Sequence, residues 1–81
     1  MFEFRIETIN KKFEDIKEEV NNGKLLLYAK LEDEDLIIEA KELKNLIKGE
    51  LANNKLDILI NQLKQYLCDI QGLIEQNTNI L

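Results

Sequence analysis

The residues able to do chemistry are few, and their types decide which chemistries remain open. The chain contains no histidine and no serine. Without imidazole there is nothing to take the proton in a Ser–His or Cys–His nucleophile pair. Imidazole metal sites are excluded for the same reason, including the Glu-x-x-His motif of di-iron bundles. No glycine-rich phosphate loop of either common type is present. Carboxylates, lysines, Tyr28, Tyr66 and Cys68 are what is left. That is a thin inventory for proton transfer. The expectation is a protein that is not an enzyme, with no catalytic residue, no metal site and no cofactor.

One charge run stands out, Glu32-Asp33-Glu34-Asp35. Asp33 and Asp35 match the first ligands of a calcium loop. Ile37 and Ile38 then fall where an Asp or Asn and the glycine belong, so the match fails. Two readings survive. The run is a solvated turn that favours a helix start through the helix dipole, or it is a contact patch for a basic partner. Tyr28 and Tyr66 join it as candidate interface anchors, because amphipathic aromatics suit interfaces. Packing of their rings in a core with the hydroxyls at the surface competes with that reading. The candidate partner-binding set is therefore Glu32, Asp33, Glu34, Asp35, Tyr28 and Tyr66. Cys68 reads as a small, half-buried apolar residue. Lys64 is the only base nearby, so an activated thiol is not implied.

The elements that must position these residues can be read from composition and period. Eighty-one residues make one small domain. Such a chain buries only roughly 60–65% of its unfolded surface. A core of this size rarely supplies more than about 3–5 kcal/mol without a staple. A single cysteine rules out an internal disulfide. Self-association would offset the shortfall. There is no proline, and leucine, isoleucine, glutamate and lysine dominate, which leans towards helix. Sixteen acidic and eleven basic residues leave a net charge of −5. A negative chain is poorly suited to phosphate, so nucleic-acid binding is disfavoured. It would require Lys11, Lys12, Lys17, Lys24 and Lys30 to gather on one face. No apolar run approaches a membrane span, and the first residues lack the basic start and apolar core of a signal peptide. A soluble cytoplasmic protein with no membrane contact is expected.

The strongest periodic signal lies in residues 55–76. Leu56, Ile60, Leu63, Leu67, Ile70 and Ile74 recur at steps of four and three. Leu59, Tyr66 and Leu73 widen the row into a stripe too broad for one companion helix. Gly72 sits beside it, implying a frayed end or a close backbone approach. Residues 77–81 read as a loose tail. At the other end, Phe2, Ile6, Ile9, Phe13, Ile16 and Val20 form a narrower helical row. Asn21-Asn22-Gly23 ends it, with Gly23 suited to the left-handed C′ position.

The middle of the chain supports two readings. Leu26, Ala29, Leu36, Ala40, Leu43 and Ile47 fit one helical row, with Asp33 its only polar occupant. Asp33 either breaks the helix or sets register, as a buried polar residue can in a bundle. In the broken version Asp35 caps a helix from Leu36. Ala52-Asn53-Asn54 is read as a turn, with Asn54 capping the last helix. The fold class is all-α: a small three-helix or broken four-helix bundle with coiled-coil-like packing. Its helices span about 5–21, 25–50 (either continuous or broken near 32–35) and 55–76. The alternative is α+β, because Phe2, Phe4 and Ile6 alternate with charges and residues 25–31 form a nearly continuous apolar run. Residues 2–7 and 25–31 would then pair as two short strands.

The function expected from these features is that of a small acidic protein–protein interaction module, a regulator or inhibitor occupying a partner surface. A self-associating structural subunit is the alternative, favoured by the regular rows of the first and last helices. A nucleic-acid-associated accessory protein is the third reading.

Overall fold

A computed structural model describes the backbone of residues 2–80 and the side chains of residues 2–76. It contains three helices, α1 (Phe2–Asn21), α2 (Leu26–Leu46) and α3 (Glu50–Ile80). They pack side by side into an elongated bundle of 48 × 19 × 14 Å. The all-α expectation holds. Residues 2–7 lie in the first turns of α1, and residues 26–31 open α2. The alternating phenylalanines therefore do not make a strand. Ile6 is buried in the bundle while Phe4 points to solvent.

Helix α1 ends where its glycine allows. The Gly23 amide donates to the Val20 carbonyl and the Lys24 amide to the Glu19 carbonyl. These two bonds form the Schellman motif. Gly23 occupies φ +102°, a conformation that other residues adopt only with strain. The Lys24 ammonium then bridges Glu19 of α1 and Glu32 of α2, at 2.5 Å from each. Leu25, in extended backbone and without a side-chain cap, leads into α2.

Helix α2 is unbroken through residues 32–35, so the three-helix version holds and the broken four-helix one does not. Asp35 is an interior helical residue and not a cap. The apolar row decides this. Ala29, Leu36, Ala40, Leu43 and Ile47 are all buried, and a break at Asp33 would lose their common face. The second connection is also earlier than expected. Ile47 leaves the helix in extended backbone, and α3 begins at Glu50. Asn53 and Asn54 therefore lie inside α3 and form no turn. Asn53 ties the connection down, its side-chain amide donating to the Ile47 carbonyl at 3.2 Å.

Two short connections set α1 and α3 parallel, with α2 antiparallel between them. Lys12 pairs with Glu39 across α1 and α2. Lys44 pairs with Asp57 across α2 and α3. Lys55 pairs with Glu3 across α1 and α3. These exposed pairs fix register more than they stabilise, being worth about 0–1 kcal/mol each.

The core is made from the rows that the period marks. Ile6, Ile9, Phe13 and Ile16 of α1 meet Leu56, Leu59, Ile60, Leu63 and Ile70 of α3 and the buried row of α2. Leu67 and Ile74 are partly buried against it. Leu73, on the widened stripe, is exposed. Gly72 neither frays the helix nor meets another backbone. The helix continues to Ile80, and no atom lies within 4 Å of the Cβ that an alanine would add. The backbone of residues 77–80 is thus helical where a loose tail was expected; Leu81 lies outside the described residues.

Candidate functional site

The acidic run is dispersed by the helix that carries it. Successive residues of an α-helix step by about 100°, so four in a row face nearly every direction. Asp35 is exposed, Glu32 and Glu34 are half-buried, and Glu32 is taken up by Lys24. Asp33 is fully buried. It is therefore no part of a contact patch, and the four acids do not act as one surface. The tyrosines are also separated. Tyr28 is exposed near the start of α2. Tyr66 packs its ring edge-on against Phe13, with centroids 5.6 Å apart and planes at 75°. That contact makes Tyr66 a half-buried core residue. The Lys17 ammonium covers the same Phe13 ring at 4.4 Å.

Asp33 is the most unusual polar group in the bundle. It lies in the buried row of α2 between Ala29 and Leu36, with 0% of its surface exposed. Neither of its carboxylate oxygens has a hydrogen-bond partner among the described residues. Burial disfavours the charged form, and the neighbouring charge of Glu34 adds to the effect. Together they push its pKa up to about 7. The Tyr66 hydroxyl is also pushed up, first by burial, then by Asp33 and Asp69.

Lys11, Lys12, Lys17 and Lys24 do not gather on one face, whereas Lys41, Lys44 and Lys64 share a surface hollow with Asp57, which pairs with Lys44. Lys12 pairs with Glu39, Lys17 with Glu14, Lys11 with Asp15 and Lys24 with two glutamates. Lys11, Lys12 and Lys17 leave α1 in three different directions, given its 3.6-residue turn. Cys68 is exposed, and not half-buried as its neighbour Leu67 suggests.

A different surface emerges on the side of α2 that faces away from the bundle. Leu27, Leu31 and Ile38 are 59%, 51% and 56% exposed. At the helical period they share one face, opposite Ala29, Leu36, Ala40 and Leu43. Glu34 lies within that row. Asp35 and Glu42 border one edge, and Lys30 and Lys41 border the other. Helix α2 is thus apolar on two faces, one covered and one open. In the sequence this looks like the short apolar run of a buried strand, and only the burial pattern separates the two faces.

Among the described residues, no helix is long and apolar enough to cross a membrane. No protein-family description, no curated protein and no solved structure matches the chain.

Proposed function

We propose that this chain is a protein–protein interaction module that docks a partner protein on the outer face of α2. The observation that carries the reading is the exposed row Leu27, Leu31 and Ile38. An amphipathic surface helix of a bundle normally turns polar residues outwards. Three large aliphatic side chains on one outward face gain by being covered, at roughly 25 cal/mol per Å2 of apolar surface removed from water. Asp35 and Glu42 supply a negative edge, so the matching surface is apolar with a basic rim, in keeping with the net charge of −5. A regulator or inhibitor working in the cytoplasm by occupying such a surface needs no catalytic group of its own, and the lone thiol suits a reducing compartment.

The test is affinity capture with the wild-type chain and a Leu31→Glu/Ile38→Glu variant. A partner held by the wild type and lost by the still-helical variant supports the reading. An identical set of captured proteins overturns it.

A specific observation favours self-association as the second reading. The row has acids along one edge and lysines along the other. Two copies of α2 laid parallel along this row would bring each acidic edge against the other's basic edge. Light scattering over a range of concentrations decides it: a mass that rises to two chains supports a dimer, and a single-chain mass throughout removes it.

A further inference from the structure

We propose that Asp33 is a proton-operated latch between α2 and α3: the bundle closes tightly over the neutral carboxyl group and loosens when that group ionises. The geometry has three parts. The side chain is wholly buried in an unbroken helix. Both oxygens lack a partner among the described residues. No cation pairs with it among the described residues. On its own helix Glu34, of the same sign, acts against its ionised form, and Lys30, one turn back, does not hydrogen-bond its oxygens. On α3 it meets the influence of Tyr66, which is neutral, and beyond it Asp69. In the antiparallel register set by Lys12 and Glu39, α1 brings Lys17 and Glu18 to this level. Lys17 is engaged with the Phe13 ring and with Glu14, and Glu18 is exposed. Lys24 is held by Glu19 and Glu32. In the closed bundle an ionised Asp33 thus has no hydrogen bond or ion pair, whereas opening admits water to both oxygens.

The direction of the response follows from linkage. A free aspartate titrates near 3.8 and the buried one near 7, so the folded chain holds this proton more tightly than the unfolded chain. Folding is unaffected by Asp33 below both values, weakens as pH rises between them, and reaches a constant penalty above the upper one. No histidine exists to confound this window. The latch does not depend on what covers the outer face of α2.

The experiment is urea unfolding of the full chain at a series of pH values, alongside Asp33→Asn. From about pH 5 to 8 the wild-type folding equilibrium constant falls about 100-fold through this group. Amides flanking Asp33 and Tyr66 lose hydrogen-exchange protection over the same range. The Asn variant, neutral at every pH, shows neither change. Should the amide disturb the core, Asp33→Ala repeats the test without a polar group. A wild-type constant that does not vary with pH, or the same fall in both neutral variants, overturns the latch.

Discussion

Replacing Leu63 by alanine puts the core assignment under direct load. Leu63 lies mid-way along α3 with 0% of its surface exposed, in the core cluster that all three helices share. The change removes three carbon groups, worth about 2.4 kcal/mol at roughly 0.8 kcal/mol each. The cavity left behind brings the cost to about 2.7–5 kcal/mol. A core of this size supplies about 3–5 kcal/mol in all. Leu63→Ala is therefore expected to leave a substantial fraction of molecules unfolded at 25 °C. Leu51→Ala on the same helix, at a position 68% exposed, should stay within about 0.5 kcal/mol of wild type. Urea unfolding followed by far-ultraviolet circular dichroism compares the two. Equal midpoints for Leu63→Ala and Leu51→Ala would refute the burial of this face of α3 in the core.

Other substitutions probe other links. Gly72→Ala should stabilise by about 0.8–1.0 kcal/mol, since the helix is continuous there and nothing crowds the new methyl group; a lower melting temperature would show that the helix does not run through this point. Gly23→Ala should cost about 1–2 kcal/mol, because φ +102° is strained for any residue with a Cβ; an unchanged stability would mean the chain turns differently. Asp33→Leu should raise stability at pH 8 more than at pH 5, since it removes a charge that is present only at the higher pH; an equal effect at both values would deny the buried carboxylate its cost. Leu27→Gln should leave the unfolding midpoint nearly unchanged while weakening partner capture, and a large loss of stability would place this side chain in the core instead.

How much was legible differs from residue to residue. The row Leu56, Ile60, Leu63 and Ile70 is evident in the sequence because a helix stamps its period on every buried position. Gly23 is legible for a similar reason: a Schellman motif has a local chemistry that one residue type satisfies. Asp33 is not. A carboxylate in an apolar row usually signals a break, and the burial that raises its pKa is a property of three packed helices. Asn53 and Asn54 mislead because asparagine serves helix caps and turns equally well. Only the position of Ile47 shows that Asn53 reaches back from inside the helix. The outer row of α2 was hidden by its density: Leu25, Leu26, Leu27 and Leu31 resemble a strand until Leu26 turns inwards and the others stay out.

Thiol labelling of single cysteines measures both faces of α2 at once. In a Cys68→Ala background, Leu31→Cys and Ile38→Cys report the outer face, and Leu36→Cys and Leu43→Cys the inner one. The two outer thiols should react at close to the rate of a free peptide, and the two inner ones about 10–10²-fold more slowly, since each buried Leu→Cys change itself lowers the stability that opening must overcome. Similar rates at all four positions would contradict a helix with one face closed and one open to solvent.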